Sequence, residues 1–361
     1  INEAGLQDGC QVVALRTGQE APGTIAATQE AFAGITVDGG VVCWGKAAWG
    51  GDLSGVEKQL TARVVHIVAN NKAFAAIMED RSVVAWGDPA HGGDSSKASE
   101  QLSSGVLQVV GCGYIFSGGA FAAIKDAGSV VCWGDDESGG NCRSVATQLS
   151  SDVFDVVGGG GAFAALKTNG SIVCWGCTNN GGRAPSDVSD KVAKLFSNPK
   201  AFAAIKEDGT LICWGHTGCG GDGRSVGKLP PSRTSISSSA MGFAALKSDG
   251  SVICWGSPVV TNMGLVDSNL NDVISIAGSS YAFAALRSDG SVVCWGRSMN
   301  PPSDLAGVVR IVGTGYAFAA LKETGSVESW GHPRHGGDSG NVSHLLTSGV
   351  VRVVGGGYAF A

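Results

Sequence analysis

The sequence predicts an all-β fold built from tandem units of about forty residues, and three observations predict it. A Phe stands twelve residues before a Trp-Gly in every copy, at Phe32, Phe74, Phe121, Phe163, Phe202, Phe243, Phe283 and Phe318, with a ninth start at Phe360. The intervals from Phe to Phe are 42, 47, 42, 39, 41, 40, 35 and 42 residues, a period that marks a repeat architecture. Between Phe and Trp, two short apolar runs flank a turn rich in Asp-Gly. Those runs are continuously apolar, which is the pattern of strands buried on both faces.

Taken in order, one unit opens with an apolar segment such as Val64-Val65-His66-Ile67-Val68, Val153-Phe154-Asp155-Val156-Val157 or Val308-Val309-Arg310-Ile311-Val312. It runs into a Gly- or Ser-rich bend, such as Gly158 to Gly161 or Gly313-Thr314-Gly315. Next comes a hairpin: Ala282-Phe283-Ala284-Ala285-Leu286-Arg287, Ser288-Asp289-Gly290, then Ser291-Val292-Val293-Cys294-Trp295-Gly296. Asp-Gly recurs at residues 38–39, 208–209 and 249–250, with Asn169-Gly170 as an equivalent. Asp, Asn and Gly suit a hairpin turn that needs positive φ. Each unit therefore holds at least three strands and almost no helix.

Small antiparallel sheets covered on both sides stack face to face, and radial stacking leaves only short edges. The predicted fold is a β-propeller of seven to nine blades, forming one closed ring over residues 1–361. The paired alanines suit an innermost, crowded strand, with Phe and Trp filling the space between blades; Phe74, Trp86, Phe163, Trp175, Phe243, Trp255, Phe283 and Trp295 exemplify this core. Residues 4–15 read as a worn hairpin lacking its Trp, and 350–361 as the strand that precedes such a hairpin, so the two ends are expected to share a blade. The chain starts without Met or a visible targeting signal and ends in mid-phrase, so it reads as a processed form or a fragment, with its compartment unassigned.

The Trp-Gly hairpins, with the loop phrase Gly50-Gly51-Asp52, Gly92-Gly93-Asp94, Gly220-Gly221-Asp222 and Gly336-Gly337-Asp338, resemble the repeats of the regulator-of-chromosome-condensation family. The resemblance covers the chain from about residue 22 to its end. It implies a propeller, usually of seven blades, that binds other proteins. Such relatives include an exchange factor for a nuclear GTPase, a bacterial β-lactamase inhibitor, a plant ultraviolet-B photoreceptor and domains of HECT-type ubiquitin ligases. The chain departs from the family pattern in carrying Phe where an inner-strand His is usual, and in lacking the Ser-Arg-Gly-Gln-Leu-Gly loop and the photoreceptor's Gly-Trp-Arg-His-Thr peptide. Neither the exchange nor the photoreceptor activity transfers.

Fifty-seven Gly in one chain would suggest low complexity, but here they punctuate periodic apolar strands. A net charge of −6 and a pI near 5.5 argue against an extended nucleic-acid footprint. No apolar run approaches the ~18 residues of a membrane helix.

Eleven cysteines are the most chemically suggestive residues. Six occupy one slot before Trp (Cys43, Cys132, Cys174, Cys213, Cys254 and Cys294), where Ala85 and Ser329 also stand. The slot wants a small side chain, and a buried free Cys behaves as a small hydrophobe. Three blades carry a second Cys, making Cys132 with Cys142, Cys174 with Cys177 and Cys213 with Cys219 candidate loop disulfides in an oxidising compartment. The Cys174-x-x-Cys177 spacing lacks the setting of a redox or metal motif. His332-Pro-Arg-His335 aligns with Asp88-Pro-Ala-His91 and reads as loop variation. No catalytic, metal or cofactor set emerges. The basic residues closing the Phe strand, Lys125, Lys167, Lys206, Lys247, Arg287 and Lys322, have acidic neighbours and read as a self-neutralised rim.

The insertion that lengthens one interval to 47 residues places Tyr114, Ile115 and Phe116 in a Gly-flanked loop. These three, with Trp49, are the candidate partner contacts, because aromatic anchors dominate protein interfaces. The expected function is a non-catalytic protein-binding scaffold or accessory subunit of a larger assembly, with other proteins as partners. The alternatives are a regulatory module, such as an exchange factor or the substrate-recruiting part of a ubiquitin ligase, and a small-molecule or glycan site in the central channel. No cofactor is expected.

Overall fold

The structure is a computed structural model that describes residues 25–115, 117–185, 188, 190–232, 234–261, 270–297 and 299–361. These form eight three-stranded antiparallel sheets, each ordered as in the sequence. The sheets open at Ile25, Val64, Val106, Val153, Val192, Ser235, Val273 and Val308, and close at Gly45, Gly87, Gly134, Gly176, Gly215, Gly256, Gly296 and Gly331. We number them blades 1 to 8. The fold is an all-β propeller. The worn hairpin at 4–15 lies outside the described residues.

The twelve-residue interval has a direct cause. Phe163 on the middle strand of blade 4 is the cross-strand partner of Trp175 on the outer strand, and their rings stack with centroids 5.1 Å apart. The other seven blades repeat this pair at 5.2–5.6 Å. Such offset pairs contribute about 0.5–1.5 kcal/mol beyond the area they bury. From blade 2 onward each pair also packs on the preceding blade: Phe163 and Trp175 share a core cluster with Ala120, Ala122 and Cys132. The Trp indole then reaches back across the interface. Trp86, Trp133, Trp175 and Trp214 donate Nε1–H to the carbonyls of Gly50, Gly92, Gly139 and Gly181, each at 3.0 Å.

Two expectations are corrected. The Phe-Ala-Ala strand is the middle strand, bonded on both edges, and not the innermost one. Alanine suits it because neighbouring blades press on both its faces, leaving Ala162, Ala164 and Ala165 fully buried. The innermost strand is the segment before the bend, whose ends line the channel. The Asp-Gly turns need positive φ only at Gly, as at Gly209 (φ 84°). Asp208 instead accepts a hydrogen bond from the Thr210 N–H (2.9 Å), and Asp80, Asp249 and Asp289 bond Ser82, Ser251 and Ser291 in the same way. The side chain mimics a backbone turn, which is the Asx-turn mechanism.

At the turn end of the propeller, most innermost strands carry a β-bulge, for example between Val153 and Asp155. The bulge turns one residue outward, so Val65, Leu107, Phe154, Ile274 and Val309 are large apolar side chains about half exposed. Past blade 8, Gly355 and Phe360 form an antiparallel bridge, and Phe360 is fully buried against blade 8. The Gly357 N–H donates to the Thr28 carbonyl in blade 1 (3.2 Å).

Candidate functional site

At the other end of each blade, the bend before the middle strand meets the loop that follows Trp-Gly. The residue after Trp-Gly donates its N–H to the carbonyl of the residue two before Phe: Lys46 to Glu30, Asp88 to Lys72, Arg297 to Tyr281 and His332 to Tyr316. These two positions therefore sit together on one rim, which we call the bend rim. A buried polar residue ties the bend to the loop. Thr28, Asn70, Asn198 and Thr314 donate from their side chains to the carbonyls of Trp49, His91, Cys219 and His335. In blade 3 the buried Cys112 thiol takes this role, donating to the Ser138 carbonyl (3.0 Å).

The bend rim gathers every tyrosine of the chain. Four Tyr exist; Tyr281, Tyr316 and Tyr358 occupy the same slot in blade 7, blade 8 and the residues that follow it. Tyr281 lies 5.6 Å from Tyr316, Tyr316 lies 4.7 Å from His335, and His335 lies 4.8 Å from Tyr358. His332 stands edge-on to His335 at 4.4 Å, and the Arg297 guanidinium lies 5.7 Å from the Tyr281 ring. The fourth, Tyr114, comes from the insertion in blade 3. Its hydroxyl shares a hydrogen bond with Ser280 Oγ of blade 7 (3.0 Å), so it reaches across the channel mouth. Asn71 Nδ2 holds the loop by donating to the Tyr114 and Ser117 carbonyls.

The channel behind Tyr114 is about 480 Å³ and is lined by Gly, Asn and Ser from the bends, with Ile115 among them. Burial pushes the Tyr114 and Tyr358 hydroxyls up and takes Tyr316 to about 12. Burial, and then the neighbouring His332, holds His335 below the ordinary imidazole range. At neutral pH the Tyr114, Tyr316 and Tyr358 hydroxyls and the His335 imidazole are therefore neutral.

Trp49 lies on this rim as well, in the loop slot that His335 fills in blade 8. Lys46 Nζ sits 3.9 Å from its ring and Lys72 Nζ 5.3 Å, a cation–π pairing. Phe116 lies outside the described residues. The tyrosines at 281, 316 and 358 and the pair His332 and His335 were not expected from the sequence. One signal was available: Tyr281, Tyr316 and Tyr358 each fall two residues before the Phe of a repeat.

The cysteines are placed differently. All ten described cysteines are free thiols, including Cys132, Cys142, Cys174, Cys177, Cys213 and Cys219. Cys132 and Cys142 are hydrogen-bonded; this pulls the Cys142 thiol down while burial drives Cys132 well up. The slot before Trp faces the next blade's indole, and burial pushes Cys43, Cys174, Cys213, Cys254 and Cys294 to about 12. Among the described residues, no group of three His, Cys, Asp or Glu is placed to hold a metal ion, and no helix is long and apolar enough to cross a membrane. On the turn rim, Lys125 donates to the carbonyls of Gln101 and Ser104, and Lys167 to that of Gln148. These lysines tie down neighbouring loops.

No protein-family model matches the chain, and no curated protein matches it. Several solved structures are similar to parts of it. The CRINKLY WD40 ectodomain of the Arabidopsis thaliana receptor kinase ACR4 is 18% identical over 70% of this chain and 88% of its own, with a TM-score of 0.43. Yeast RCC1 (Prp20), solved with Kap60 bound, is 16% identical over 84% of this chain and 80% of its own, with a TM-score of 0.43. The computationally designed protein Ika8 is 13% identical over 90% of this chain and all of its own, with a TM-score of 0.41. Likenesses this distant carry no functional argument for this chain.

Proposed function

We propose that this chain is a non-catalytic β-propeller that binds a partner protein through its bend rim, as a scaffold or an accessory subunit. One observation carries the reading: all four tyrosines lie on that rim, three in consecutive units and Tyr114 reaching blade 7 from blade 3. Tyr offers a large, rigid, amphipathic contact with little rotamer freedom to lose, which is why binding surfaces are enriched in it. The hairpins and Phe–Trp stacks supply the rigid support such a surface needs. Tyr114, Ile115 and Trp49 belong to this contact. In the same reading residues 25–361 form one ring, with the Gly357–Thr28 hydrogen bond joining its ends.

A second reading places the contact on the turn rim, favoured by the exposed bulge residues, of which Phe154 is 53% exposed. Tagged chain purified from the native source separates the two. Wild type and Phe154→Ser should retain a stoichiometric partner that Tyr316→Ala loses. Loss with Phe154→Ser alone would transfer the contact to the turn rim.

A further inference from the structure

The partner's chemistry can be read from the charges beside the tyrosines, given the bend-rim reading above. The rim arc runs through blades 7 and 8, the residues after them, and blades 1 and 2, with the Gly357–Thr28 bond bridging the residues after blade 8 to blade 1. In this arc the bend slot and the slot after Trp-Gly hold Tyr281 and Arg297, Tyr316 and His332, Tyr358, Glu30 and Lys46, and Lys72 and Asp88. Only two of these are carboxylates: Glu30 pairs with Lys46 (3.0 Å), and Asp88 lies 3.1 Å from the Nδ1 of His91. Arg297 is exposed and Lys72 half-buried, and neither has a carboxylate partner among the described residues. Each lies over an aromatic face instead, Arg297 over Tyr281 and Lys72 over Trp49. The chain as a whole carries −6, so an arc with two cations that lack a carboxylate partner, set among Tyr hydroxyls, runs against its general charge.

We propose that this arc takes an acidic segment of the partner protein, its carboxylates meeting Arg297 and Lys72 and its apolar side chains lying between the tyrosines. Guanidinium suits this task because it can stack on a ring and still present a planar pair of N–H donors to a carboxylate. The attraction steers the segment to the mouth and weakens as salt shortens the screening length.

The test uses the whole chain and three fluorescein-labelled twelve-residue peptides with identical Leu content, rich in Glu, in Ser or in Lys, read by fluorescence anisotropy. The expected result is at least tenfold tighter binding of the Glu peptide than of the Ser peptide at low ionic strength, falling as salt rises. Arg297→Ala with Lys72→Ala should remove most of that preference, whereas Lys247→Ala on the turn rim should leave it intact. Equal binding of all three peptides, still weakened by Tyr316→Ala, would overturn the acidic-segment proposal while leaving the bend rim as the contact. Binding that ignores Tyr316→Ala but fails with Phe154→Ser would overturn both. Preference for the Lys peptide, or no binding of any peptide, would also overturn the proposal.

Discussion

Replacing Trp175 with Phe isolates the hydrogen bond that the repeats use to join blades. Trp175 is buried on the Phe163 ring and donates Nε1–H to the buried Gly139 carbonyl at 3.0 Å. Trp255 is its natural control: it is equally buried, stacks on Phe243 at 5.2 Å, and its Nε1 donates to no backbone carbonyl. Both Trp→Phe changes remove the same ring volume, so the packing loss cancels to first order in their difference. Only Trp175→Phe orphans a buried carbonyl, which costs about 1–3 kcal/mol. Trp175→Phe should therefore lower stability by that much more than Trp255→Phe. Urea unfolding followed by far-UV circular dichroism measures it, with unchanged m-values showing that the denatured states are comparable. Equal losses, or a larger loss at Trp255, would refute the idea that the indole bond, and not the stack alone, holds one blade to the next.

Gly181 has φ 97°, and a Cβ there would meet Phe202 Cδ2 at 2.5 Å; Gly181→Ala should cost well over the roughly 1–2 kcal/mol of left-handed strain alone, whereas Gly227→Ala, with open space around it, should cost only the strain. Lys191 precedes its strand at φ 59°, where Gly105, Gly307 and Gly349 serve other blades; Lys191→Gly should stabilise by about 0.5–1 kcal/mol in thermal melts. Iodoacetamide should alkylate native Cys142 well before Cys254, and Cys254→Ala should leave partner binding intact; mass spectrometry of the labelled peptides and a pull-down check these, and faster labelling of Cys254 would contradict the burial argument. Because His335 is held below the ordinary imidazole pKa, the unfolded chain binds its proton more readily; its contribution is fully present above about pH 6.5 and is lost as pH falls through the lower folded value. A His335→Gln variant should show a flatter melting profile over that acid window.

The fold was legible because each repeat carries its own punctuation. Phe and Trp twelve residues apart are cross-strand partners, and the Asp of the turn answers a specific backbone N–H. Which strand lies innermost was not legible: Phe-Ala-Ala and the segment before it are both apolar, and only strand pairing tells the middle of a sheet from its inner edge. The site was half legible. Tyr114 stood out as part of an insertion, and Trp49 as the one Trp outside the Trp-Gly slot. Tyr281, Tyr316 and Tyr358 were hidden because a repeat slot conceals that its copies become neighbours around the rim. His335 looked like loop variation, and the contact that gives it meaning, with Tyr316 and Tyr358, joins it to other segments of the chain.

The most direct test of bend-rim binding is hydrogen–deuterium exchange of the purified partner complex against the free chain. Protection should appear in peptides covering residues 278–282, 313–317, 332–335 and 355–358, with the Asp-Gly turns unchanged. Protection confined to the turns and the bulged strand starts around Val65, Phe154 and Val309 would contradict it.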